Sequence, residues 1–172
     1  MVCGAQSIYC VSRPHVIEHL TRRGIPVFCH AGLVPQICTG AGGLRAVGKT
    51  RVEADRICQS VADFVDAGAV GVYLHLIPEK LAGAITAAAG LTTVSVGAGR
   101  DCDVIWAHAD DVLGCNTGHV PRHARSFCNI GAPEASECFR RYSRNVELGL
   151  YPGAEHTIKS VLPVWPDQLW PD

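Results

Sequence analysis

The sequence predicts an α/β fold with a parallel sheet, of the kind found in α/β barrels. Short apolar runs of strand length alternate along the chain with longer segments of helical periodicity. This alternation is typical of parallel strands connected by helices. His30 lies where one apolar run ends, in a loop punctuated by glycine and proline. Because the reactive side chains of barrel enzymes lie at the carboxyl ends of strands, this placement also favours a barrel.

The first elements follow from local signals near the N-terminal end. Residues 5–9 give a weak strand signal. Residues 14–23 predict a short helix, with Ser12 as the candidate N-cap and Gly24 as the C-terminal stop. The apolar run at 25–29 predicts the strand that follows directly.

A helix of about 17 residues is predicted to begin after Thr50. Thr50 and Glu53 have the spacing of a capping box, in which each side chain bonds the backbone amide of the other residue. Gly68 is the predicted stop. One apolar face is formed by residues at helical spacing, which are Ile57, Val61, Phe64 and Val65.

The remaining elements continue the alternation. Strands are predicted at 69–74, 91–96 and 104–109, and helices at 78–89 and 133–148. Together the elements predict one α/β domain.

We place that domain at residues 1–160, followed by a separate tail at 161–172. The chain has 172 residues and 48% hydrophobic content, so it is long enough to bury a sizeable core. The tail contains three prolines and two tryptophans, which are too many breakers for a helix. An extended docking tail or a disordered end is expected there.

Charge and hydropathy exclude several classes of protein. The 15 basic and 16 acidic residues nearly cancel, and no basic cluster is interleaved with aromatic residues, so a nucleic-acid surface is not expected. No apolar run approaches the roughly 20 residues of a membrane span, and the first residues lack the pattern of a secretory signal. A soluble protein of the cytoplasm or of an organelle matrix is expected.

The nine cysteines also favour a reducing compartment. Their number is odd, no CxxC pair occurs, and several lie within apolar runs, where free cysteine behaves as a small hydrophobic residue. We therefore expect reduced thiols. The positions are Cys3, Cys10, Cys29, Cys38, Cys58, Cys102, Cys115, Cys128 and Cys138.

Five motifs, in order, carry a resemblance to one family. They are HAGLVPQ (30–36), GGLRAVGKT (42–50), LHLIPEKLAGAIT (74–86), VGAGRDCD (96–103) and ELGLYPGAEHT (147–157). Together they resemble the ketopantoate hydroxymethyltransferase (3-methyl-2-oxobutanoate hydroxymethyltransferase) family over roughly residues 3 to 158. The resemblance implies a partial (β/α)8 TIM-type barrel that corresponds to strands four to eight plus the C-terminal helices.

A closed barrel of this type needs eight strands and about 250 residues. The resemblance therefore identifies the chain as an N-terminally truncated and divergent member of the family. A partial barrel leaves strand edges and an apolar interior uncovered, which is costly in water. We expect a homo-oligomer, a complex with a homologue, a rearranged fold, or a chain that is unstable alone.

The resemblance also implies an activity. Family members transfer a hydroxymethyl group from methylenetetrahydrofolate to 3-methyl-2-oxobutanoate, with Mg²⁺ on the 2-oxo acid and a base near the carbon that loses a proton. The two metal-binding aspartates of the family lie on early strands that have no counterpart here. One alignment places Ser7 at the family's substrate-binding lysine and Tyr9 at its third metal ligand, so no metal ligands are found in this chain.

Two histidines remain as candidate site residues. His75 matches the position of the family's glutamate base, and histidine can act as a base because its unperturbed pKa is about 6.5. The alternative is that His75 only fills the pocket mouth of an inactive protein. His30 matches the family's histidine and is a candidate substrate-binding residue, or else a structural histidine. A zinc or iron site formed by His30, His75 and His108 is a further hypothesis.

The other histidines are expected to lie on the surface because none has ligand spacing. They are His15, His19, His119, His123 and His156.

Residues 43–50 also fit the phosphate-binding pattern G-x-x-x-x-G-K-[ST]. A nucleotide-binding P-loop follows a buried strand directly, whereas residues 36–41 do not predict a strand. The resembled family has a similar stretch, so coincidence is the better explanation. Arg45 and Lys49 are then expected to be structural or subunit-facing.

The predicted function is that of a 3-methyl-2-oxobutanoate hydroxymethyltransferase in pantothenate biosynthesis, with little or no activity from the isolated chain. One alternative is a non-catalytic subunit or regulator that pairs with a full-length homologue. The other, less favoured, is the nucleotide binder.

Overall fold

The computed structural model describes residues 4–35, 38, 43–116, 118, 120–128 and 134–160. Five parallel strands form one sheet in the order β1-β2-β3-β4-β5, so each strand lies beside the next one along the chain. The strands are β1 Ile8–Tyr9, β2 Val27–Gly32, β3 Gly71–His75, β4 Thr92–Val96 and β5 Val104–Ile105. The predicted α/β fold with a parallel sheet is confirmed.

Helices connect the strands and extend beyond the last one. They are α1 Pro14–Thr21, α2 Arg51–Asp66, α3 Glu79–Ala89, α4 Ala109–Leu113 and α5 Ala135–Glu147, followed by a 3-10 turn at Ala154–His156. The strand expected at 104–109 is wrong beyond Ile105, because α4 begins at Ala109. Two acidic residues in its first turn, Asp110 and Asp111, favour a helix start there.

The predicted capping box is confirmed at the start of α2. The Thr50 side chain accepts a hydrogen bond from the Glu53 backbone amide, and the Glu53 carboxylate accepts one from the Thr50 amide. At α1 the predicted cap is wrong, since Arg13 rather than Ser12 is the residue before the first helical turn.

The main core lies between the sheet and helices α1 to α3. Along β2, Val27, Cys29 and Ala31 are buried on the helix side, while Phe28 and His30 are partly exposed on the opposite face. This alternation places every second strand residue on the inner face of the sheet. A smaller core lies between α4, α5 and the segments next to them.

One disulfide corrects the expectation of reduced cysteines. Cys128 and Cys138 are bonded to each other, which joins α5 to the segment that precedes it. Cys29 and Cys58 are buried free thiols, as predicted. Cys3 and the tail at 161–172 lie outside the described residues. Among the described helices, none is both long enough and apolar enough to cross a membrane.

Candidate active site

A cavity of about 390 Å³ opens at the carboxyl ends of the strands. Every strand contributes to it, either directly or through the residues that follow. The lining residues are Tyr9, His30, Pro35, Tyr73, His75, Val96, Trp106 and His108. The structure brings His30 and His75 together at this cavity, with their ring centroids 5.4 Å apart.

The backbone of Leu33 organises both histidines. Its carbonyl oxygen lies 2.6 Å from Nε2 of His30 and 3.0 Å from Nδ1 of His75. Because a carbonyl oxygen only accepts, both of these ring nitrogens carry a proton. The Leu33 amide in turn donates to the His75 carbonyl oxygen at 2.9 Å. One loop residue therefore sets the tautomers of two imidazoles on neighbouring strands.

The remaining ring nitrogens differ in their surroundings. Nδ1 of His30 accepts from the Tyr9 hydroxyl, whose oxygen lies 2.5 Å away. Nε2 of His75 is left with a lone pair, since Nδ1 carries the proton of the neutral ring. His75 therefore offers the site a hydrogen-bond acceptor or a base.

Burial, together with smaller effects of the neighbouring His30 and His123 rings, lowers the pKa of His75 to about 4. Burial also lowers the pKa of His30, against the opposing effect of its bond to Leu33. Both rings are neutral near pH 7 as a result. The ordinary imidazole pKa assumed from the sequence does not hold for His75. Near pH 7 the ring is in its neutral, proton-accepting form, but its low pKa makes it a weak base.

Backbone conformation explains how His75 reaches this position. Leu76, the next residue, has a positive φ of 50°, which is uncommon for a residue other than glycine. Its amide donates to the Val96 carbonyl and its carbonyl accepts from the Val47 amide, at 2.9 and 3.0 Å. Strained backbone of this kind is often found at functional sites, where the surrounding structure supports it.

The prediction of a surface position is wrong for two histidines, His123 and His156. His123 is partly buried against the end of β4, because a Cβ added at Gly97 would lie only 2.8 Å from Cγ of His123. His156 is buried, and its Nδ1 accepts from the Gly153 amide at 3.0 Å. His15 and His19 are exposed as predicted, and His119 lies outside the described residues.

The zinc or iron hypothesis is also wrong. His30, His75 and His108 line the same cavity, and the His108 ring packs edge-on against Trp106 with centroids 4.4 Å apart. Across the described parts of the chain, however, no three histidine, cysteine, aspartate or glutamate side chains are arranged to hold a metal ion. The described lining residues include no carboxylate, and Mg²⁺ prefers oxygen ligands, so these residues do not fit Mg²⁺ either.

The P-loop pattern serves a structural role. The backbone amides of Lys49 and Thr50 both donate to the Glu53 carboxylate, at 3.1 and 3.4 Å. The Arg45 guanidinium donates to the other oxygen of that carboxylate at 2.8 Å. Amides that would cradle a phosphate are thus occupied by the capping box, which counts against a nucleotide site.

Acid is expected to destabilise the fold through His75. An unfolded histidine has a pKa near 6.5, whereas that of folded His75 is about 4, so between these values only the unfolded chain binds the proton. The free energy of unfolding should fall by up to about 3 kcal/mol as the pH drops through this window, with no effect of this group above it. Urea unfolding at pH 7 and pH 4.5 measures the loss. His75→Gln should lose less stability than the wild type, and an equal loss would contradict the assignment.

Comparison with known proteins gives one consistent result. The family model of ketopantoate hydroxymethyltransferase matches residues 7–154. A 3-methyl-2-oxobutanoate hydroxymethyltransferase of Rhizobium rhizogenes is 38% identical over 143 residues, which are 83% of this chain and 52% of that protein. The enzyme of that name from Nitrosospira multiformis is 36% identical over 82% of this chain and 53% of its own length. The one from Paracoccus denitrificans is 35% identical over 89% of this chain and 56% of its own length. The chain spans about half the length of the curated relatives it matches.

Proposed function

Because this chain belongs to the ketopantoate hydroxymethyltransferase family, we propose that its strand-end cavity binds 3-methyl-2-oxobutanoate and that His75 accepts a proton from C3 of this 2-oxo acid. The observation that carries the proposal is the Leu33 carbonyl, which holds Nδ1 of His75 in its protonated form and leaves Nε2 as the free base. His30 lies beside it as the substrate-binding residue. The wider activity is hydroxymethyl transfer, with methylenetetrahydrofolate as the one-carbon donor.

The proton moves from C3 of the substrate to a ring nitrogen of His75. The C3–H bond breaks, its proton goes to Nε2 of His75, and its electron pair forms the C2–C3 double bond of the enolate. Negative charge then develops on the C2 oxygen. C3 of the enolate is the nucleophile that takes up the one-carbon unit. These steps use only the substrate and His75, since the described lining residues do not fit Mg²⁺.

Full turnover by this chain alone is expected to be very low. In the part of the chain that the structure describes, the lining contains no lysine, arginine, aspartate or glutamate, so it offers neither a permanent cation for the substrate carboxylate nor ligands for a hard metal ion. His75 is a weak base as well, because its pKa is about 4. We therefore expect this chain to catalyse only the first step, the abstraction of the C3 proton, at a rate that can be detected.

Deuterium exchange isolates that step. The chain is incubated in buffered D2O with 3-methyl-2-oxobutanoate, and loss of the C3 proton signal is followed by NMR. Exchange above the rate in buffer is expected without any folate, while addition of methylenetetrahydrofolate should give little or no ketopantoate. Exchange no faster than in buffer would contradict the proposal, and efficient folate-dependent turnover would contradict the predicted low activity.

A second candidate function is that of a subunit that pairs with a homologue. It is favoured by apolar side chains at both outer strands of the sheet. Tyr9 on β1 is 50% exposed, Val104 on β5 is 42% exposed, and Trp106, which follows β5, is 37% exposed. Outer strands present unpaired backbone groups that another chain can bond. Co-purification of a tagged chain with an intact relative tests this candidate. A monomer that does not bind the relative would remove it.

A further inference from the structure

We infer that the cavity binds its 2-oxo acid together with one proton, which His30 takes up so that the Tyr9 hydroxyl can turn to the ligand. The inference rests on the proposed function, because it concerns how the same cavity holds the same anion. It goes beyond it by assigning a binding role to Tyr9 and a protonation state to His30.

A counter-charge is needed because the ligand is a carboxylate. Burying an unpaired carboxylate is costly, and among the described residues the cavity lining contains no lysine or arginine to pair it. The other titratable groups that face His30 are tyrosines and histidines, and none of them is a carboxylate. They are Tyr9 from β1, Tyr73 and His75 from β3, and His108 after β5. An imidazolium is therefore the one cation that these lining residues can supply.

His30 is better placed than His75 to become that cation. Nε2 of His30 already donates to the Leu33 carbonyl, and Nδ1 already faces the Tyr9 oxygen. A proton added to Nδ1 finds an acceptor in place, since the hydroxyl oxygen has lone pairs. In the described structure, Nε2 of His75 has no such acceptor, and the pKa of that ring is lowered to about 4. His75 thus remains neutral and free to act as the base.

Protonation of His30 reverses one hydrogen bond. In the free site the Tyr9 hydroxyl donates to Nδ1 of His30. Once Nδ1 carries a proton taken from solvent, it donates to the Tyr9 oxygen, and the hydroxyl hydrogen is released to the cavity. The hydroxyl can then donate to the ligand carboxylate, while the imidazolium behind it supplies the positive charge. The bound anion and the captured proton leave the complex with no net change of charge.

Calorimetric titration of the full chain with 3-methyl-2-oxobutanoate tests the inference. Repeating the titration in buffers of different ionisation enthalpy counts the protons taken up. Near pH 7.5 an uptake approaching one proton per ligand is expected, and the apparent Kd should rise by up to about tenfold per pH unit above that point. His30→Gln should abolish the uptake. Tyr9→Phe should weaken binding by about tenfold. His19→Gln, at an exposed histidine, serves as the matched control.

The outcomes separate the two proposals. Binding without proton uptake, and with a Kd independent of pH, would overturn this inference and leave the proposed function standing. Uptake that persists in His30→Gln would assign the proton to another group and also overturn it. Absence of binding by the folded wild-type chain would overturn both. Circular dichroism of each variant confirms that a loss of uptake is not a loss of fold.

Discussion

Replacing His75 with glutamine is expected to reduce the C3 deuterium exchange rate of 3-methyl-2-oxobutanoate by about 100-fold, or to the buffer rate if that is reached first. Glutamine is similar in reach and keeps a polar amide, but it has no nitrogen that accepts a proton near neutral pH. Such a decrease corresponds to about 2.7 kcal/mol of lost transition-state stabilisation. NMR measurement of the exchange rate at equal protein concentration gives the value.

The control for this prediction is His19→Gln. His19 is an exposed residue of α1, so the same chemical change is made away from the cavity. The control should exchange at the wild-type rate. If His75→Gln exchanged as fast as the control, His75 would be one wall of the pocket and not the base.

Replacing Gly32 with alanine is expected to lower the free energy of unfolding by at least about 3 kcal/mol. Gly32 ends β2 with a φ of 91°, a conformation that alanine avoids. An added Cβ would lie 2.3 Å from the carbonyl oxygen of His75 and 2.7 Å from Cγ2 of Ile77. The atom nearest to the added Cβ belongs to the backbone of β3. The clash can therefore be relieved only by a costly shift of the end of β3, which would carry His75 with it. Urea unfolding measures the destabilisation.

Gly90→Ala provides the matched control. Gly90 also has a positive φ, 63°, but an added Cβ would meet no atom within 4 Å. Its replacement should therefore cost only about 1 kcal/mol, from the conformational term alone. Equal destabilisation of the two variants would show that the contact between Gly32 and the end of β3 has little effect on stability.

Local sequence signals were sufficient for much of the fold. The capping box of Thr50 and Glu53 predicted the start of α2, and the helix predicted at 78–89 ends at the same residue as α3. These features act over a few residues, so the sequence alone reveals them. Helix α4 was missed because its five residues are too few for a helical period to emerge.

The site was predicted only in part, for a physical reason. His30 was found because it follows an apolar run, whereas His75 was found through the family resemblance, since it matches the position of the family's glutamate base. The Leu33 carbonyl that orients them gave no signal, since every residue has a carbonyl and only the fold brings this one to both rings. The approach of His123 to the end of β4 likewise depends on a contact between segments distant in sequence. The lowered pKa of His75 follows from burial, which a list of residues does not give.

Histidine NMR tests whether the cavity binds the 2-oxo acid beside His30 and His75. Spectra that correlate the ring nitrogens and carbon-bound protons of the imidazoles report the tautomer of each histidine and its response to ligand. With His30 and His75 assigned through their glutamine variants, titration with 3-methyl-2-oxobutanoate should shift the signals of these two rings and leave the exposed His15 and His19 unchanged. Free His75 should show the tautomer protonated at Nδ1. If neither His30 nor His75 responded to saturating ligand, the cavity would not be the 2-oxo acid site.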